Sequence, residues 1–290
     1  MKFWQMLSWV EVEQMVPLAI FAEELGFEGV MNSDHAVYPE TVNAPYPYST
    51  TGKPLMQPDW SYPDTWTTIA AMAAVTTRIR LSTSVYVLPL RSVFEVAKAT
   101  GTLALLSEGR FILGAGLGWM KDEFDIYGVP FETRARRTDE MIEVLRKFWA
   151  GGMVEHHGAF HDFPPVQIAP APGRPVPVYL GGSSPPALRR TARLGDGWIG
   201  NGNAPEEVPA IVAELKRLRS EAGRDHLPFE TVIGLTTPPD IDTFRRLGEL
   251  GMTAGVSYPF YFSLGERSSL DDKKRIMERF ERDVLRHFAG

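Results

Sequence analysis

Cysteine does not occur in the 290 residues, which removes disulfides, thiolate metal sites and cysteine nucleophiles from consideration. No apolar run approaches the ~20 residues that a helix needs to cross a bilayer, so no membrane association is expected. Basic residues are outnumbered, 30 Lys and Arg against 36 Asp and Glu for a net charge of −6, and they form no block that could follow a phosphate backbone. Nucleic acid is therefore not an expected partner. The segment Met1-Lys2-Phe3-Trp4-Gln5 lacks the basic-then-apolar run of a signal peptide, and with the missing cysteines this predicts a cytoplasmic location. Gly-x-Ser-x-Gly elbows and Walker-type loops are also missing, which argues against an elbow-type serine hydrolase and a P-loop nucleotidase.

A hydrophobic fraction of 44% is enough to bury a sizeable core in one large α/β domain or two medium ones. Short β-rich apolar runs alternate with longer helical patterns, the signature of βα units around a parallel sheet. The expected strands are Phe3 to Leu7, Gly29 to Asn32, Ile79 to Leu88, Arg110 to Ala115, Val176 to Leu180, Trp198 to Gly200, Thr231 to Leu235 and Ala254 to Ser257. Helical patterns separate them, closing with one over Asp272 to Phe288. Gly26 should stop the first helix, and Asp64 should cap the second. Eight alternations favour a single (β/α)8 TIM-barrel domain over residues 1–290 rather than an open doubly wound sheet. Two additions stand out: a Pro/Tyr-rich insertion after strand two, Ala36 to Pro63, and a small hairpin before strand five, Val154 to Phe163, with His157-Gly158 at its turn.

A barrel enzyme builds its site from the loops after the strands, so Asp34-His35, Ser84-Val85, Leu117-Gly118, Gly181 to Ser184 and Asn201 should share one mouth. His35, with an unperturbed pKa near ~6.5, can give or take a proton there. Asp34 can accept from a ring N–H or make structural bonds. Gly114-Ala115-Gly116-Leu117-Gly118 lets the backbone approach a flat ring or phosphate, or merely relieves crowding at a strand end; it lacks the dinucleotide fingerprint. Gly181-Gly182-Ser183-Ser184 follows a strand and opens a helix, which suits an anion or an ordinary cap with Ser184 in that role. Trp60, Tyr62, Trp66, Tyr86 and Trp119 either line a pocket or pack the rim. His156, His157 and His161 lack a carboxylate at metal-site spacing, so no metal is assigned.

The order of motifs resembles the bacterial luciferase-like oxidoreductases, in particular the branch that uses the deazaflavin coenzyme F420. The resemblance rests on Ala22-Glu23-Glu24-Leu25-Gly26-Phe27 before Ser33-Asp34-His35, on Leu88-Pro89-Leu90-Arg91, and on Leu106-Ser107-Glu108-Gly109-Arg110 before the glycine strand. It continues through Glu123-Phe124, Arg134 to Glu140, Pro177-Val178-Tyr179-Leu180-Gly181-Gly182 and Ala192-Arg193-Leu194-Gly195-Asp196-Gly197-Trp198. It implies a cofactor ring at the barrel mouth, with Asp34 touching it and the catalytic residue His35 near its reacting face, as the proton donor or as an orienting group. Ser84-Val85 would form a non-proline cis peptide behind the ring. Leu117 and Gly118 would follow the ring or its side chain, Asp122 would make a polar cofactor contact, and Gly181, Gly182, Ser183 and Ser184 would bind the phosphate. A homodimer is implied as well.

Two departures bear on the substrate. Trp119 stands where the family's sugar-phosphate dehydrogenases carry a glutamate, and Val87 where they carry a polar group. The expected reaction is hydride exchange between F420 and a fairly apolar small organic substrate, by reduction of an activated C=C or C=N bond or oxidation of an alcohol. An FMN-dependent luciferase-like monooxygenase and a non-catalytic flavin-binding or deazaflavin-binding barrel are the alternatives.

Overall fold

The period-2 and period-3.6 apolar runs resolve into alternating strands and helices in the computed structural model, which describes residues 1–47, 49 and 51–288 and, at Asn201, the backbone alone. The strands are β1 (Lys2–Met6), β2 (Gly29–Asn32), β3 (Arg80–Thr83), β4 (Tyr86–Val87), β5 (Phe111–Gly116), β6 (Val154–His157), β7 (Asp162–Val166), β8 (Val178–Gly181), β9 (Gly197–Asn203), β10 (Glu230–Leu235) and β11 (Ala254–Ser257). The helices are α1 (Val12–Leu25), α2 (Thr65–Val75), α3 (Val93–Leu106), α4 (Lys121–Tyr127), α5 (Arg134–Ala150), α6 (Pro185–Leu194), α7 (Val208–Glu221), α8 (Ile241–Glu249), α9 (Tyr261–Leu264) and α10 (Leu270–Asp283).

Parallel pairing runs β3-β2-β1-β11-β10-β9-β8-β5, and β3 closes onto β5 through Leu81 opposite Phe111 and Ser82 opposite Ile112. The sheet is thus a closed eight-stranded (β/α)8 TIM barrel, with β4 continuing β3 and β6–β7 forming a separate antiparallel hairpin. Alternate residues of each strand face opposite ways. Trp4, Met31, Ile112, Tyr179, Ile199, Val232, Ala254 and Val256 fill the barrel interior. Phe3, Val30, Leu81, Leu113, Val178 and Ile233 point outward into the larger core beneath the helices.

Local signals set the helix ends. Gly26, at φ +86°, ends α1 in the left-handed conformation with its N–H directed to Ala22 and Glu23 carbonyls. The Asp64 carboxylate accepts the Thr67 N–H at 2.8 Å at the start of α2.

Three boundaries differ from the sequence expectation. The third strand is broken after Thr83, because the Ser84–Val85 peptide is cis and pairing resumes only at Tyr86. The closing helix stops at Asp283, after which Leu285–Phe288 form a 3-10 turn. That turn brings the Phe288 ring 5.3 Å from Phe3 under the barrel, a contact that a continued helix would forgo. The hairpin turns two residues later than expected, at Ala159-Phe160, where Gly158 N–H bonds the His161 carbonyl at 2.9 Å. The amino-terminal end of the barrel is closed by polar pairing: Arg80 donates to Glu230 at 2.8 Å and to the Tyr179 hydroxyl at 2.9 Å. Barrel enzymes carry their chemistry at the opposite end, where the strands finish.

Candidate active site

The chain leaves β2 through Ser33-Asp34-His35, which carries the imidazole to the barrel mouth. Nδ1 of His35 lies 2.9 Å from Oε2 of Glu123. Glu123 sits in the first turn of α4, where a helix favours an anion, and its side chain is only 1% exposed. Its other oxygen accepts the backbone N–H groups of Ala36 at 2.7 Å and Val37 at 3.3 Å. Among the described residues Nε2 of His35 has no partner. The ring stands edge-on to Tyr62 and Trp119, with centroids 5.1 and 6.0 Å apart.

Asp34 points the other way. Its carboxylate accepts Nη2 of Arg91 at 3.0 and 3.1 Å and the Val87 N–H at 3.0 Å. Burial pushes this carboxyl above the usual aspartate range, opposed by the Arg91 charge and the Val87 N–H. The residue braces the end of β2 against β4, so a ring N–H would have to share an oxygen already in use. Val87 itself is buried against Leu90 and Phe124. Asp122, expected as a polar cofactor contact, clasps the insertion: its carboxylate accepts the Ala44 N–H and the Asn43 side chain, each at 2.9 Å.

Behind the mouth, the cis Ser84–Val85 bulge explains the glycines. A Cβ at Gly114 would fall 1.8 Å from the Thr83 carbonyl oxygen, and one at Gly116 would fall 2.3 Å from Cγ2 of Val85. At Gly181 it would fall 3.2 Å from Cγ1 of the same valine. The crowding explanation therefore holds for Gly114 and Gly116, and the Val85 side chain is seated against β5 and β8 at Gly116 and Gly181, where those strands present no side chain. Ser84 donates its N–H to the Asn32 carbonyl at 2.7 Å. Leu117 is half-buried, and Gly118, at φ +79°, packs beneath Phe124 and Val87.

Gly182, at φ +107°, turns the chain from β8 into α6, and its carbonyl accepts Nε1 of Trp198 at 2.9 Å. Ser184 occupies the cap position, yet its hydroxyl makes no cap bond. Ser183 and Ser184 are exposed, and neither hydroxyl has a partner among the described residues. Pro185 and Pro186 bring no N–H to the first turn, so an anion there would be held by the two serines and by Ala187 N–H at the positive end of α6. Bare strand backbone around Val85 and these uncommitted donors fit a flat ring carrying a phosphate.

The insertion is fastened over the mouth by aromatic contacts. Trp60 packs on Trp9 and Tyr261 at centroid distances of 4.8 and 4.7 Å. Trp9 donates to the Tyr62 hydroxyl at 2.6 Å, and burial raises the Tyr62 phenol above its ordinary range. Trp66 and Tyr86, by contrast, pair with each other at 3.1 Å near Arg91. Half-buried Tyr258, after β11, adds a hydroxyl that burial has pushed up to about 12. The contacts of Glu123 with His35 and of Arg91 with Asp34 were missed from sequence, although both residues stand in motifs that carry the resemblance.

Comparison with known proteins agrees with this architecture. The family model for luciferase-like monooxygenases matches residues 5–270. An uncharacterised protein of Mycobacterium tuberculosis is 36% identical over 272 residues, covering 93% of this chain and 94% of that one. An F420-dependent glucose-6-phosphate dehydrogenase of Microbacterium testaceum is 28% identical over 238 residues, covering 79% and 66%. Among solved structures, the monooxygenase RslO1 from Streptomyces bottropensis superposes with a TM-score of 0.78 at 20% identity, over 100% of both chains. The coenzyme F420-dependent tetrahydromethanopterin reductase from Methanopyrus kandleri gives 0.76 at 18% identity, over 99% of both.

Proposed function

The chain belongs to the luciferase-like monooxygenase family, and from that premise we propose that it is an F420-dependent oxidoreductase acting on a fairly apolar organic substrate. F420, when bound, supplies a carbon centre that gives or takes a hydride. The chain would contribute binding, orientation and one proton. Ser183, Ser184 and Ala187 N–H hold the phosphate, while the backbone at Gly116 and Gly181 lies along the ring with Val85 behind it. Tyr62 and Trp119 wall the space before His35, exclude water from it and favour an apolar substrate. His35 carries the proton through Nε2, giving it to a reduced double bond or taking it from an alcohol.

The single observation that carries this reading is the placement of His35: an imidazole edge-on to Tyr62 and Trp119, anchored through Nδ1 to Glu123, with Nε2 uncommitted among the described residues. Trp119 in place of a carboxylate, and the burial of Val87, count against a sugar phosphate as substrate, although the Microbacterium relative is named for one. We extend the proposal to a cytoplasmic homodimer, which solution scattering would check.

The test is anaerobic. Oxidised F420 mixed with secondary alcohols, and reduced F420 with enones or imines, should show turnover in at least one direction by deazaflavin absorbance. His35→Asn should lower kcat by about 10²–10⁴-fold. A variant with undiminished turnover would remove His35 from the chemistry. In a parallel aerobic assay, turnover with reduced FMN that requires oxygen would favour a monooxygenase instead.

A further inference from the structure

We infer that Glu123 is a positioning residue that fixes the tautomer of His35, holding the proton on Nδ1 and leaving Nε2 to face the mouth as an acceptor whenever the ring is neutral. The inference deepens the reading of His35 as proton carrier and rests on it for its functional consequence.

An ionised carboxylate offers acceptors only. Oε1 of Glu123 is claimed by two backbone donors, Ala36 N–H at 2.7 Å and Val37 N–H at 3.3 Å. Oε2 faces Nδ1 of His35 at 2.9 Å, so the proton of that bond comes from the ring nitrogen wherever the carboxylate is ionised. Because the two N–H groups belong to the residues immediately after His35, one carboxylate fixes both the ring and the backbone that carries it. Glu123 is buried, which keeps bulk water from these positions. The neutral ring then has a bare Nε2 suited to take a proton from a hydroxyl. After protonation the same nitrogen is the donor, and the ring need not move between the two roles.

Glu123→Gln makes the inference testable. The Ala36 and Val37 N–H groups donate and so require an oxygen in the Oε1 position, which turns the amide NH2 of the glutamine toward Nδ1. Nδ1 must then accept, and the proton moves to Nε2. Shape and backbone bonding are retained, while the tautomer inverts.

The experiment uses protein with 15N-labelled histidine, with the His35 signals among the six histidines assigned by their loss in His35→Asn. With the ring neutral, the natural protein should show a pyrrole-type Nδ1 and a pyridine-type Nε2, and Glu123→Gln should exchange them. In turnover, Glu123→Gln should lower kcat by about 10²-fold or more, with KM nearly unchanged. Added to His35→Asn it should cost nothing further, because it acts through the ring. A proton on Nε2 in the natural protein, an unchanged tautomer in Glu123→Gln, or an equal loss of kcat in the His35→Asn background would each overturn the inference. The resonance measurement needs no cofactor. The expected tautomer pair in a protein that does not turn over F420 would support the inference while the functional reading failed.

Discussion

Gly116→Ala isolates the packing that shapes the mouth. The new methyl would meet Cγ2 of Val85 at 2.3 Å, against an ordinary contact of about 3.5 Å or more. One of the two strands must therefore shift by roughly 1 Å or Val85 must leave its position, an overpacking that costs about 1–3 kcal/mol. For a chain of this size that corresponds to a fall in Tm of about 2–5 °C. The partner substitution is Val85→Ala. The Val85 Cβ lies 3.3 Å from the same methyl position, close enough to need only a few tenths of an ångström of adjustment. Val85→Ala alone should lose about 1 kcal/mol of packing, but it should recover most of the stability lost in Gly116→Ala. Thermal unfolding of the two single variants and the double variant closes the cycle, with a coupling expected at 1 kcal/mol or more. F420 affinity should follow the same order, weakest in Gly116→Ala. Additive losses would refute the account of Gly116 as the residue that makes room for Val85.

Other variants test the supports around the site. Arg91→Met leaves the Asp34 carboxylate buried without its counter-charge and should destabilise by about 3 kcal/mol, the lower part of the range for broken buried pairs because Arg91 is partly exposed. Denaturant unfolding measures it. Asp122→Asn should release the insertion. Burial pushes the Asp122 carboxyl up, but the N–H groups of Ala44 and Asn43 hold it below the usual range. A depressed folded-state pKa means that the clasp is complete above the ordinary aspartate value of ~3.9 and is lost as pH falls through the lowered one. Exchange of the Ala44 amide should accordingly be faster in Asp122→Asn than in the natural protein at neutral pH, and the two should converge in acid.

The architecture was legible because both periodicities were strong: alternating apolar runs for the strands, and Met141, Val144, Leu145 and Phe148 on one face of α5. The breaks were not legible, since they come from contacts distant in sequence. The interruption at Ser84–Val85 is accommodated by glycines on β5 and β8, and the end of α10 is decided by Phe288 meeting Phe3. At the site, the strand-end rule assigned His35 to the mouth, where its ring lies beside Tyr62 and Trp119. What sequence could not convey was how carboxylates are used. Asp34 and Asp122, expected near the cofactor, are engaged by Arg91 and by the insertion, while Glu123, 88 positions from His35, is the acid in contact with the imidazole.

The central claim is that this barrel holds a deazaflavin for hydride exchange, and equilibrium titration of the purified protein with F420 and with FMN, each followed by fluorescence quenching, tests it most directly. The account predicts saturable binding of F420, tighter than that of FMN and weakened when Ser183 and Ser184 are both replaced by alanine. Preference for FMN, or binding of neither, would contradict it.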